Sequence, residues 1–229
     1  MKTIGLIGGM SWESTVTYYQ VINRVVKEEL GGLHSAKCIL FSVDFHEIEE
    51  CQSSGDWERS ARILIAAAQS LERAGADFIV ICTNTMHKVS DDIEKEISIP
   101  ILHIAEMTAQ ELKENNIKRI ALLGTKYTME QDFYKSKLIS RGIDVYIPDV
   151  NDRIIINNTI YNELCRGIVS EKSKEKFMDI IDEIVYMGAQ GVILGCTEIG
   201  LLIQQKDTSV QVFDTTMIHA KKAALYSLK

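Results

Sequence analysis

Five thiols and a few threonines are the residues of this 229-residue chain best suited to chemistry. Cys38, Cys51, Cys82, Cys165 and Cys196 form no C-x-x-C pair, and no H-E-x-x-H accompanies them, so no metal site is expected. Small polar residues cluster instead at four places: Gly8-Gly9-Met10-Ser11, Thr83-Asn84-Thr85, Gly124-Thr125-Lys126-Tyr127-Thr128 and Cys196-Thr197-Glu198. A thiol ionises near pH ~8.5, and a helix N-terminus lowers that value, which makes Cys196 a candidate thiolate base. A threonine hydroxyl is much harder to ionise, but it can deliver a proton to a carbanion-like centre. Taken singly, a cysteine after an apolar run is ordinarily a small buried hydrophobe, and Thr83 ordinarily a helix cap. His87 and His103, near strand ends, read as orienting or structural groups; His34, His46 and His219 show no pattern.

The elements that must position these clusters follow from periodicity. Short β-branched runs near Thr3-Ile7, Cys38-Val43, Phe78-Cys82, Pro100-Ile104, Arg119-Leu123, Asp144-Ile147, Gly191-Gly195 and Val210-Phe213 read as eight strands, four in each half. Between them, apolar residues recur at helical spacing: Tyr19, Ile22, Val26 and Leu30; Trp57, Ala61, Leu64, Ala68 and Leu71; Phe177, Ile181 and Ile184. Strands alternating with helices predict parallel sheets built from strand-helix-strand units, with each apolar stripe covering a sheet face.

The sequence also repeats itself. Thr3 to Gly9 (TIGLIGG) resembles Arg119 to Thr125 (RIALLGT) at an offset of 116; Gly75 to Asn84 (GADFIVICTN) resembles Gly188 to Thr197 (GAQGVILGCT) at 113; Ser98 to Leu102 resembles Ser209 to Phe213 at 111. Buried parallel strands resemble one another in any case, but here non-strand residues match too: Gly75-Ala76 with Gly188-Ala189, and Gly8 with Gly124. The expected fold is therefore α/β with two similar lobes, each a four-stranded parallel sheet flanked by helices, related by internal duplication. One lobe would span 1–104 with 214–229, the other 105–213. Ligands of open α/β sheets bind beyond the carboxyl ends of the strands, where all four polar clusters fall, so the active site is expected in the cleft between the lobes. Each cluster would open a helix whose N-H groups suit a carboxylate. Alignment of the third strands sets Thr83 opposite Cys196, a hydroxyl and a thiol suited to opposite faces of one carbon.

Composition limits the partners. A net charge of −7 with no clustered Lys or Arg argues against nucleic acid or an anionic membrane. No apolar run approaches the ~20 residues of a membrane helix, and Thr3-Ile7 lacks the flanks of a signal peptide. A cytoplasmic protein with reduced thiols is expected.

These residues resemble the aspartate/glutamate racemase family, and the resemblance covers essentially the whole chain. Gly8-Gly9-Met10-Ser11-Trp12-Glu13-Ser14-Thr15, with Tyr18-Tyr19 and Asn23, is similar to the opening of the aspartate-racemase branch. Thr83-Asn84-Thr85-Met86-His87 resembles the first catalytic motif, Gly124-Thr125 with Thr128 the substrate-binding turn, and Gly195-Cys196-Thr197-Glu198 the second catalytic motif. The resemblance implies a cofactor-independent racemase, free of pyridoxal phosphate, that inverts the α-carbon of aspartate, glutamate or a broader polar set by two-base proton transfer. A homodimer is the family's habit. Cys196 would be one catalytic group. The other position is usually cysteine, and here Thr83 occupies it, with Cys82 one residue earlier as the alternative; strand alternation turns Cys82 the other way. Met10, Asn84, Thr85, Thr125, Tyr127, Thr128 and Thr197 would bind the α-carboxylate and amino group, Glu198 would orient Cys196, and Gln52 would meet the substrate side chain. Aspartate-specific members are expected to carry a basic residue around Glu47 to Gln52 and a lysine near Cys165. Glu47, Glu49, Glu50 and Cys165 argue against a strictly acidic substrate. Two other readings remain: a one-cysteine decarboxylase or isomerase of the same superfamily, and a non-catalytic amino-acid-binding protein.

Overall fold

The computed structural model describes residues 1–229, which divide into two units: Met1–Ile104 with His219–Lys229, and Ala105–Ile218. In chain order the first unit contains β1 (Ile4–Gly8), α1 (Trp12–Leu30), β2 (Cys38–Ser42), α2 (Phe45–Ser54), α3 (Trp57–Arg73), β3 (Phe78–Ile81), a 3-10 turn (Thr85–Val89) and α4 (Ser90–Glu94). The second contains α5 (Ile104–Glu114, its first residue shared with the first unit), β4 (Arg119–Gly124), α6 (Lys126–Glu130), α7 (Asp132–Ile139), β5 (Asp144–Tyr146) and α8 (Val150–Asn162). It continues through α9 (Glu171–Tyr186), β6 (Gly191–Gly195), α10 (Ile199–Leu202) and β7 (Gln211–Asp214). The last helix, α11 (Thr215–Ser227), begins in the second unit and from His219 onward belongs to the first. The crossing therefore lies inside the helix rather than at residue 214, because the Thr215 hydroxyl still donates to the Leu194 carbonyl of β6 at 2.8 Å. No helix is long and apolar enough to cross a membrane.

Both sheets are parallel, ordered β2-β1-β3 and β5-β4-β6-β7. The strand expected over Pro100-Ile104 is reduced to one parallel bridge, Ile79 with Ile101, flanked by Ile79 N-H to the Pro100 carbonyl and Leu102 N-H to the Ile79 carbonyl, each 2.9 Å. Pro100 has no N-H to extend the ladder, and α5 takes over the backbone at Ile104, so the first unit keeps three strands.

Alternation along β3 sorts the first core into two layers. Ile79 and Ile81 pack with Leu64, Ala68 and Leu71 of α3; Phe78, Val80 and the adjoining Cys82 pack with Tyr18, Ile22 and Val26 of α1 and Ala220, Ala223 and Ala224 of α11. The expected stripe on α1 is corrected at both ends. Tyr19 and Leu30 are 54% and 45% exposed, while Tyr18, Val21, Ile22, Val25 and Val26 are buried. In the second unit Ala121, Leu123, Val192, Leu194 and Cys196 face Phe177, Ile180, Ile181 and Ile184 of α9. Truncating a fully buried Phe such as Phe177 to Ala costs about 3–5 kcal/mol, which is the scale of what one large side chain contributes to this layer.

The repeat read from the sequence recurs in the hydrogen bonds. After α3, Gly75 takes φ +94° and Ala76 N-H returns to the Leu71 carbonyl at 3.0 Å; after α9, Gly188 takes φ +110° and Ala189 N-H returns to the Ile184 carbonyl at 3.2 Å. Asp77 N-H then bonds the Thr3 carbonyl at 2.8 Å, and Gln190 N-H bonds the Arg119 carbonyl at 2.9 Å. Helix α3 thus corresponds to α9, and β3 to β6.

Candidate active site

In the first unit the loop after β1 is tied to the first turn of α1. Thr15 Oγ1 accepts from Gly9 N-H and donates to the Ser11 carbonyl, both at 2.9 Å, and Ser11 caps α1 through Ser14 N-H at 3.4 Å. Gly9 has φ +94°, and a Cβ there would run into the Val43 carbonyl, so only glycine suits this bend. The Ser14 hydroxyl, shared with the Ser11 carbonyl at 3.0 Å, also reaches the Cys82 carbonyl at 3.3 Å, linking this loop to the end of β3. Met10 is buried in the α3-side layer.

Beyond β3, Thr83 is half-buried while Asn84, Thr85, Met86 and His87 are buried. Gln52 of α2 lies buried nearby and donates from Nε2 to Met86 Sδ at 3.1 Å. Cys82 is wholly enclosed by the α1-side layer, its Sγ 3.8 Å from the Val80 carbonyl, and burial pushes its thiol pKa far up. The acidic residues Glu47 and Glu50 are answered by Arg59 of α3, at 4.0 and 3.7 Å, with His46 3.3 Å from Glu50. Arg59 stands one helix later, outside the stretch around Glu47 to Gln52.

His87 was the other feature that residue types alone left undecided. Its Nδ1 lies 2.8 Å from the Thr83 carbonyl, and its Nε2 accepts from Ile104 N-H at 3.2 Å. The rings of His103 and His219 stand 4.6 and 5.7 Å away by centroid. His219 is bracketed by the Tyr18 hydroxyl on Nδ1, 2.8 Å, and the Leu102 carbonyl on Nε2, 2.6 Å. Burial first, then the neighbouring imidazoles, holds His87 well below the usual histidine range, and burial brings His219 down to about 4.

The second unit assembles the other cluster. Gly124 and Gly195 pair across β4 and β6, so Thr125-Lys126-Tyr127-Thr128 and Cys196-Thr197-Glu198 leave adjacent strand ends. Thr125 caps α6 by accepting from Thr128 N-H at 3.4 Å, and the two hydroxyls are 3.3 Å apart. Lys126 Nζ sits 4.9 Å from the centroid of the Tyr127 ring. Cys196 is 8% exposed, and its Sγ donates to Glu198 Oε2 at 3.0 Å. The same oxygen accepts from the Thr197 hydroxyl at 2.6 Å.

These contacts bear on the ionisation of the thiol. Burial pushes the Cys196 thiol well above its ordinary value, reinforced by the charge of Glu198 and by Cys165, against one backbone bond that acts the other way. The backbone bond from Glu198, the N-cap of the one-turn α10 (Ile199–Leu202), acts in the lowering direction, but burial and the Glu198 carboxylate outweigh it. The helices after Thr83-Asn84-Thr85 and Thr125 are equally short, and only Gly8-Gly9-Met10-Ser11 opens a long one. Burial and the facing carboxylate thus favour the protonated form of Cys196 in the absence of substrate.

The fold and these clusters place the chain among racemases. Over the full length of both chains it is 57% identical, with a TM-score of 0.94, to a Yersinia pestis protein described as a candidate Asp/Glu racemase. It is 38% identical, again with complete coverage of both and a TM-score of 0.86, to an aspartate racemase homologue from Pyrococcus horikoshii OT3. The broad specificity amino-acid racemase RacX of Bacillus subtilis (strain 168) shares 25% identity over 169 residues, 72% of this chain and 71% of its own. The Asp/Glu/hydantoin racemase pattern matches residues 7–223, and the chain belongs to that family. It is an isomerase of the racemase class.

Proposed function

We propose that the protein interconverts L- and D-amino acids by moving a proton at the α-carbon without a cofactor, Cys196 serving the L face and Thr83 the D face. The observation that carries this reading is the Cys196 thiol at the end of β6, held by Glu198 on the α9 side of its sheet. Thr83 is the first-unit counterpart by the repeat. Counting along β3 gives Thr83 the parity of Ile79 and Ile81, on the side of α3, the helix that corresponds to α9. Cys82 belongs to the opposite layer, which supports the hydroxyl rather than the neighbouring thiol as the partner.

Removal of an α-proton requires the thiolate. The ammonium group of a bound amino acid acts on the thiol in the opposite sense to Glu198, lowering the cost of ionisation when substrate is present. Met10, Asn84, Thr85, Thr125, Tyr127, Thr128 and Thr197 bind the α-carboxylate and amino group, and hydroxyl and backbone donors among them stabilise the developing enediolate. Gln52, a neutral buried amide, meets the side chain, which suits aspartate, glutamate or a broader polar set; RacX is named for broad specificity. The expected setting is the cytoplasm, as a homodimer that light scattering would reveal.

The test is a panel of L-amino acids in heavy water, followed by proton NMR for loss of the α-hydrogen and by chiral analysis. Cys196→Ala and Cys196→Ser are expected to abolish exchange from the L side, and wild-type exchange in either sinks the assignment. Loss of inversion in Cys82→Ala but not Thr83→Ala shifts the partner by one residue. A protonated resting thiol also suits a one-cysteine decarboxylase that protonates one face of an enediolate; carbon dioxide release without an inverted amino acid selects that reading.

A further inference from the structure

The two neighbours of the His87 ring define its tautomer. A carbonyl oxygen can only accept, so Nδ1, 2.8 Å from the Thr83 carbonyl, carries the hydrogen. An amide N-H can only donate, so Nε2, 3.2 Å from the Ile104 nitrogen, is bare. The ring is thus a neutral strut with a donor at one end and an acceptor at the other, 1% exposed, with one imidazole tilted against it and another edge-on. Its main-chain N-H also donates to the Asn84 carbonyl at 3.1 Å. One residue therefore holds two consecutive carbonyls, those of Thr83 and Asn84. A peptide is planar, so gripping the Thr83 carbonyl fixes the Thr83-Asn84 plane and with it the Thr83 Cα, from which the hydroxyl projects.

We propose that His87 is the positioning residue of the Thr83 hydroxyl, gripping the Thr83-Asn84 peptide through Nδ1 and referencing it to the Ile104 amide through Nε2. This rests on the reading of Thr83 as the second proton-transfer group. Proton delivery depends steeply on placement, so loosening this peptide lowers inversion more than it lowers exchange at the L face, which Cys196 handles.

Two amides separate the two ends of the ring. In His87→Asn the side-chain nitrogen lies near the Nδ1 position and can still donate to the Thr83 carbonyl, while the Ile104 contact is lost. In His87→Gln the amide oxygen lies near Nε2 and can still accept from Ile104, while the Thr83 bond is lost. With an L-amino acid that the wild type turns over in heavy water, the readout is the ratio of inversion to α-deuterium incorporation, beside KM and the melting temperature. The expected result is a ratio lowered about tenfold or more in His87→Gln and within about threefold of wild type in His87→Asn, with KM little changed. Equal ratios in all three proteins, a larger fall in the Asn variant, or parallel loss of exchange and inversion in both overturns the proposal; the last makes the ring structural only. Absence of exchange by the wild type across the panel removes the functional reading and this inference together. An active wild type with unmoved ratios removes this inference alone.

Discussion

Lowering the pH from 7.5 to 5 is expected to weaken the first unit, and His219 sets the scale. Burial brings its pKa to about 4 from an ordinary 6.5, so the unfolded chain takes up a proton across that window which the folded chain refuses. Stability is then complete above pH 6.5 and falls as the pH drops toward 4. One and a half pH units below 6.5, at about 1.4 kcal/mol per unit, this single group removes about 2 kcal/mol by pH 5. His87, depressed in the same direction, adds to the loss. Both tryptophans, Trp12 and Trp57, lie in the first unit, so urea unfolding followed by tryptophan fluorescence reads that unit directly. His219→Gln keeps a donor for the Leu102 carbonyl and removes the titration; its lower stability is expected to vary less with pH than that of the wild type. A wild-type midpoint constant from pH 7.5 to 5, or an unchanged pH slope in the variant, would refute the reasoning.

Two further outcomes follow from the clusters. Glu198→Gln removes the charge that reinforces burial in raising the Cys196 thiol, so alkylation of Cys196, followed by peptide mass spectrometry, is expected to move to lower pH. Gly9→Ala places a Cβ at positive φ against the Val43 carbonyl and is expected to cost about 2 kcal/mol or more in urea unfolding, with the α1 cap disturbed.

Much of the fold was legible because parallel strands and amphipathic helices depend on local periodicity. The repeat was legible because Gly75 and Gly188 meet the same backbone demand, a left-handed residue between helix and strand. The missing fourth strand of the first sheet was not, since Ile101 and Leu102 are β-branched or apolar enough to pass as strand, and the loss comes from Pro100 and the early start of α5. Tyr19 and Leu30 fit the helical period as well as Tyr18 and Val25 do, and the choice between overlapping stripes is made by tertiary packing. At the candidate site, residue types located Cys196, Thr197 and Glu198. They did not report the enclosure of the thiol or the carboxylate at 3.0 Å, which together raise its pKa. His87 is tied to the Ile104 N-H, seventeen residues later, a contact that residue spacing does not reveal.

The return of α11 to the first unit has a consequence for synthesis. Residues 105–218 are contiguous, so the second unit has all its strands and helices once residue 218 is made. The first unit, although 104 of its residues are translated earlier, lacks Ala220, Ala223 and Ala224 over Phe78 and Val80, and the Ser227 carbonyl that accepts from Lys2 N-H at 2.8 Å. Completion of the first unit therefore waits on residues translated after the whole of the second. The sheet face of the half carrying Thr83, covered by Tyr18, Ile22 and Val26 of α1, gains its second covering helix only after the half carrying Cys196 has been made.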